Sequence, residues 1–264
     1  MYGFRYQRPT TVSEAIAAVR ASADGAFLAG GMTLIPILKQ RLAMPSDLID
    51  VSGIPDLGSI TLDGASIVVG ALATHDAVAS HPEVRSLIPG LAALAAGIGD
   101  AQVRNRWTIG GSVANNDPAA DYPAAILALN ATIRTDRRRI PADTFFTGMF
   151  ETALADDELI TRIGFPVPET ARYAKFTHAA SNYPIVGVMV AKSPAGVRVA
   201  VTGAGPCVFR LPEMEAALAD DFTAAALDGV HVPADGLNTD MPASADYRAH
   251  LITVMAKRAV SAAA

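Results

Sequence analysis

The sequence predicts an α+β protein on three observations. Short strand and helix patterns succeed one another through the first two thirds, breaks in texture fall near residues 55 and 168, and the last third sets strand patterns ahead of helices. At 264 residues, 51% hydrophobic and 18% charged, the chain can bury a substantial core.

Taken in order, residues 13–22 read as a helix, with Ser13 as N-cap, Glu14 in the first turn, and Ile16 and Val19 on one face. Asp24-Gly25 stops it. The run Ala26-Phe27-Leu28-Ala29 reads as a strand broken by Gly30-Gly31, after which Thr33 caps a helix carrying Leu34, Ile37, Leu38 and Leu42 on one side. Residues 48–51 form another short strand, and 60–62 with 66–69 a hairpin around Asp63-Gly64.

Residues 73–80 and 84–98 are helical in period and lead through a polar stretch, Asp100 to Trp107, to a second double glycine, Gly110-Gly111. Asp117-Pro118 turns the chain before an apolar helix over 123–129. Strand runs follow at 131–135 and 158–165, and GFPVPET, with two prolines, marks a boundary. Beyond it lie strands at 173–178, 185–192 and 196–203, then helices at 211–219, 221–227 and 244–260.

Composition narrows the function. A net charge of −5 offers no attraction to a phosphate backbone, so nucleic acid is not an expected partner. The start lacks a basic, then apolar, leader and no apolar run is long enough for an integral membrane segment, so a cytoplasmic location is expected. The single cysteine, Cys207, excludes an internal disulfide and a four-thiolate iron–sulfur or zinc site. The five histidines show no metal-ligand spacing, and no nucleophile elbow, zinc-protease helix or nucleotide phosphate loop is present.

What remains is the pair of double glycines. Gly-Gly between a strand and a helix lets backbone N–H groups approach an anion without hindrance from Cβ, and two such turns in separate subdomains suit the two ends of one pyrophosphate. A G-x-G-x-x-G fingerprint is absent.

Five segments resemble the FAD-binding medium subunits of carbon monoxide, xanthine and related molybdenum hydroxylases, whose flavin domain is also called PCMH-type. They are LAGGMTLIPILKQRL (28–42), QVRNRWTIGGSVANNDPAADYPAAILAL (102–129), ELITRIGFPVP (158–168), TGAGPCVFRLPEMEAAL (202–218) and ASADYRAHL (243–251), in the family's order. The resemblance implies two α+β FAD-binding subdomains, 1–55 and 56–168, followed by a C-terminal α+β domain, 169–264, of a small antiparallel sheet plus helices.

It also implies a site. Ala29, Gly30, Gly31, Met32, Thr33 and Leu34 match a first pyrophosphate loop, and Thr108, Ile109, Gly110, Gly111 and Ser112 a second. Ala114 matches a residue beside the isoalloxazine, Asp121 an acidic FAD contact, Ile98 and Ile160 apolar flavin neighbours, and Lys175 a lysine near the flavin's polar edge. No catalytic base and no metal ligand of this chain is implied.

Two positions depart from the pattern: Met32 is usually polar and Trp107 usually small in the family. The implied role is electron transfer, from the [2Fe–2S] clusters of a small subunit through FAD to NAD, a quinone or oxygen. A large subunit carries the molybdenum cofactor, and the whole forms a dimer of heterotrimers. A self-contained FAD oxidase or reductase, and a flavin-free structural subunit, are the rival readings.

Overall fold

The computed structural model describes residues 1–262. Its first unit is built from β1 (Arg5–Gln7), α1 (Val12–Ala21), β2 (Gly25–Leu28), α2 (Leu34–Lys39) and β3 (Asp47–Asp50). The strands form a parallel sheet ordered β1-β3-β2. Helix α1 packs Ala15, Ile16 and Val19 with Ile49 of the central strand and with Val51 just beyond it.

Its cap is Thr11, not Ser13. Thr11 is extended, its hydroxyl accepts from Glu14 N at 3.1 Å, and Glu14 accepts in return from Thr10 N at 2.8 Å, a reciprocal arrangement that starts the helix one residue earlier. Helix α2 stops at Lys39 because Arg41 turns left-handed at φ +59, which leaves Leu42 73% exposed instead of packed. Strand β1, three mostly exposed residues, carries no apolar alternation that would mark it in the sequence.

The second unit runs through β4 (Ile60–Asp63), β5 (Ser66–Gly70), α3 (His75–Ser80), α4 (Pro82–Leu87), α5 (Pro89–Ala96), α6 (Ala101–Arg106), α7 (Ile109–Asn115), α8 (Tyr122–Ala128), β6 (Thr132–Thr135), β7 (Arg139–Pro141), β8 (Phe146–Gly148), β9 (Glu151–Thr152) and β10 (Ile160–Pro166). Five of its strands make an antiparallel sheet ordered β4-β5-β10-β6-β7. Ile67, Val69, Ile133, Ile163 and Phe165 from the sheet meet Leu91, Leu94 and Ile126 from the helices in one core.

The helix expected over 84–98 is two helices, since Pro82 and Pro89 each occupy a first turn and Ile88 between them leaves helical geometry. The polar stretch 100–107 is itself helical. Asp100 caps α6 by accepting from Val103 N at 2.8 Å, and with none of its residues buried this helix has no apolar stripe to betray it.

In the last third, β11 (Thr170–Thr177), β12 (Pro184–Ser193), β13 (Gly196–Thr202) and β14 (Phe209–Arg210) form a sequential antiparallel sheet, followed by α9 (Pro212–Asp220) and α10 (Ala245–Ser261). Alternation along β12 divides its side chains between two cores. Val186, Val188 and Val190 pack under α9 and α10 with Met214, Ile252 and Met255, while Met189 and Ala191 join the core of the second unit. The expected helix at 221–227 is only a 3₁₀ turn at Ala225–Leu227. Thr223 N and Oγ1 both donate to Asp221, a local turn that competes with helix before Gly229 is reached. No helix among the described residues is long and apolar enough to cross a membrane.

Candidate cofactor-binding site

Between the first and second units runs a cleft of about 320 Å³, within the range of small-molecule sites. Phe27 to Leu34 form one wall. Trp107, Thr108, Gly110, Gly111, Ala114 and Asn115 form the other, and Leu57, Leu72, Leu159 and Ile160 close the floor. Both double glycines therefore face a single space.

They are built differently. In the first turn, the chain leaves β2 and enters α2 through Gly31 at φ +75, a left-handed conformation where a side chain is strained. Among the described residues, the N–H groups of Gly30, Gly31, Met32, Thr33 and Leu34 donate to no protein acceptor. Five consecutive free donors beside a cleft make a cradle for an anionic group. Gly30 is glycine for a different reason: a Cβ there would lie 2.2 Å from the Arg106 carbonyl oxygen, so the first unit touches the second unit's backbone at this point.

The second double glycine lies not in a loop but in the first turn of α7. Ile109 N donates to Ala73 O at 3.0 Å, Gly110 N to Ala71 O at 2.8 Å, and Gly111 N to the capping hydroxyl of Thr108 at 3.2 Å. A Cβ on Gly110 would meet Ala71 Cβ at 2.6 Å and its carbonyl at 2.7 Å, so this glycine admits close packing of α7 on the strand end at Ala71. Gly111 lines the cleft, where a Cβ would meet Thr108 Oγ1 at 3.0 Å and Ala29 Cβ at 4.0 Å. The Thr108 hydroxyl accepts from Gly111 and keeps its own proton to donate.

Beyond Trp107 and Asn115, which line both spaces, lies a chamber of about 20 Å³ bounded by His75, Ile98, Ser112, Asp117, Asp121 and Tyr183. Asp121 is buried and paired: Lys175 Nζ donates to it at 2.9 Å and Tyr173 OH at 2.8 Å. Burial pushes the Asp121 carboxyl above the ordinary carboxylate range, and the Lys175 ammonium pulls against that shift. Lys175 spends its two other protons on Gly97 O and Asn182 O. The pair thus ties β11 of the last third to α8 of the second unit. His75 lies against Trp107 and Tyr122, where burial lowers its imidazole to about 3 and keeps it neutral.

The family model described as the FAD binding domain in molybdopterin dehydrogenase matches residues 2–168, more than half of the chain and all of the cleft. The chain belongs to that family. The carbon monoxide dehydrogenase medium chain of Hydrogenophaga pseudoflava is 34% identical, the match covering 98% of this chain and 96% of that one. The nicotine 6-hydroxylase medium subunit of Paenarthrobacter nicotinovorans is 32% identical over 97% and 95%. Among solved structures, the cyanide-inactivated Cu,Mo-CO dehydrogenase superimposes with a TM-score of 0.90 at 30% identity, covering 100% of this chain and 98% of that one. Quinoline 2-oxidoreductase from Pseudomonas putida 86 gives 0.85 at 26% identity over 99% and 96%.

Membership makes this chain a FAD-binding medium subunit of the molybdenum-hydroxylase dehydrogenases, an oxidoreductase component. Of the residues the sequence singled out, Ala29, Gly30, Gly31, Met32, Thr33, Leu34, Thr108, Gly110, Gly111, Ala114 and Ile160 line the cleft of this flavoprotein, and Ile98, Ser112 and Asp121 line the chamber. Two line neither. Ile109 is fully buried beneath the second turn, and Lys175 is held off by its three acceptors.

Sequence reasoning missed Glu158. It lines the cleft with its carboxylate buried, and hydrogen bonds from Arg138 hold that group down to about 2. Position in the Asp156-Asp157-Glu158 run reads as a solvated surface, and only the fold of β6 and β10 brings Arg138 and Thr135 to it.

Proposed function

We propose that the chain holds FAD along this cleft, with the pyrophosphate on the free amides of the first turn and on the Thr108 hydroxyl of the second. The observation that carries the proposal is the row of unpartnered N–H groups from Gly30 to Leu34 around a left-handed glycine, lining a cleft of about 320 Å³. These residues are half-exposed along the cleft, so their N–H groups are open to an incoming acceptor, and phosphate oxygens satisfy them. The chain's residues bind and orient the cofactor, and Asp121, fixed by Lys175 and Tyr173, supplies a positioned carboxyl at the chamber.

Bound FAD supplies redox chemistry that the side chains lack. The role proposed is relay: electrons arrive from [2Fe–2S] clusters of a small subunit, after a large molybdenum-cofactor subunit has oxidised the substrate, and leave to NAD, a quinone or oxygen. The relatives' names as medium chains and subunits support partner chains, and we propose a dimer of heterotrimers. The three larger sheets support a division at 55/56 and 168/169, the second coinciding with the end of the family match.

The test is to purify the chain alone and with its native partners. One FAD per chain, released by acid precipitation, with iron and molybdenum confined to co-purifying chains, is the expected result. Turnover of an organic substrate by the isolated chain would overturn the relay role, and failure to take up FAD would overturn the site.

A further inference from the structure

Trp107 stands where the two cavities meet. It is the only tryptophan in the chain, it is half-buried, and it lines both the 320 Å³ cleft and the 20 Å³ chamber. Its backbone is fixed on both sides, N donating to Val103 O at 2.8 Å and O accepting from His75 N at 3.1 Å. A Cβ on Gly30 would lie 3.1 Å from its Cα, so the first glycine turn abuts this residue. The indole is framed by the His75 ring at 5.6 Å and the Tyr183 ring at 6.2 Å. An aromatic plate held this way offers its remaining surface to the cleft.

We infer that the Trp107 indole is the wall on which the isoalloxazine of FAD rests, making Trp107 a positioning residue for the flavin ring. The inference rests on the reading of the cleft as the FAD site. The chemistry on either side of the indole chooses the flavin over the adenine. Beside it Asn115 lines both spaces, and the chamber beyond sets Ser112, Asp117 and Asp121 next to Ile98 and Ala120. The cleft itself is lined mainly by apolar side chains, Phe27, Ile37, Val51, Leu57 and Leu72 among them, with Thr33, Thr108 and Glu158 among its polar members. A three-ring plate with a polar pyrimidine edge and an apolar xylene end suits an aromatic wall that has hydrogen-bonding side chains at the chamber and a mainly apolar cleft, and offset contact between aromatic faces is favourable.

The experiment measures FAD and ADP affinities by ultrafiltration for wild type, Trp107→Ala and Trp107→Phe, with flavin emission recorded at equal occupancy and folding checked by circular dichroism. Trp107→Ala is expected to weaken FAD by about tenfold or more while ADP stays within about twofold, and Trp107→Phe to recover most of the FAD affinity. Flavin emission rises in Trp107→Phe, because indole donates an electron to excited flavin far more readily than a phenyl ring does.

Unchanged FAD affinity in Trp107→Ala, equal weakening of FAD and ADP, or unchanged emission in Trp107→Phe each overturns the inference. If Trp107→Ala does not fold, the emission of Trp107→Phe decides. A wild-type chain that binds neither FAD nor ADP defeats the cofactor reading itself. One that binds both, with variants indistinguishable from it, defeats only the role of the indole.

Discussion

The two Gly-Gly turns share a dipeptide and one cleft, yet they solve opposite problems. At Gly30-Gly31 the backbone withholds its N–H groups from the protein, around a left-handed Gly31 that lines the cleft. At Gly110-Gly111 every leading N–H is already engaged, by Ala73, Ala71 and Thr108, and the glycines let a helix sit close on the strand end. The first turn is donor-rich and the second is packed. A double glycine therefore signals close approach, and only the hydrogen-bond accounting says whether a ligand or the protein does the approaching.

The largest expected effect breaks the first turn. In Gly31→Val a β-branched side chain is forced to φ +75, with Ile35 Cδ1 only 2.6 Å from the new Cβ. Distorting the cradle should cost roughly 3 kcal/mol of FAD binding, about a hundredfold in affinity. Flavin absorbance per folded molecule checks it. Retention of wild-type affinity would show that these amides do not hold the cofactor.

Gly110→Ala should do the reverse. Overpacking against Ala71 is expected to cost about 1–3 kcal/mol of stability, seen as a lower melting temperature, while flavin per folded molecule is unchanged. A variant that keeps its stability and loses FAD would erase the contrast between the turns.

The second turn also rests on a titratable group that the first lacks. His75 donates its backbone N–H to Trp107 O, and burial depresses its imidazole to about 3, against about 6.5 in the unfolded chain. Between those values the unfolded state binds the proton and the native state does not. Stability is therefore intact above about pH 6.5 and falls as pH drops toward 3, with a slope approaching about 1.4 kcal/mol per pH unit. Denaturant titrations across that range should show a shallower slope in His75→Leu. Equal slopes would mean that His75 is not the group responsible.

How far the sequence shows this contrast depends on what each feature needs. The cleft's two walls were legible because strand, glycine pair and helix follow one another in the chain at 25–39, and a second glycine pair follows the polar stretch at 100–107, although the helix that Thr108 caps there was not. The α+β class was legible from alternation, down to β12, whose valines at 186, 188 and 190 share a face. Short polar elements such as α6 were not, since nothing in them is buried. Nor was the accounting that separates the turns, because Gly110 N reaches back to Ala71 across nearly forty residues. Glu158 with Arg138, and Lys175 with Asp121, are likewise pairs made only by sheet and helix packing.

The smallest expected effect asks whether the second turn contributes anything beyond packing. Thr108→Val keeps the shape of the side chain and removes its hydroxyl, which caps Gly111 N and retains a proton for the cleft. Loss of the cap should cost about 1 kcal/mol of stability. If that proton also reaches a phosphate oxygen, FAD affinity should fall by about five- to tenfold as well, the size of one hydrogen bond. Thr108→Ser, which restores an acceptor and a donor at Oγ, should recover most of both. The two losses are separable, because melting of the cofactor-free chain reads the cap alone and equilibrium FAD binding reads the hydroxyl in the cleft. A stability loss with FAD affinity unchanged would make the cradle one-sided, with the first turn holding the pyrophosphate and α7 serving only as the wall behind it.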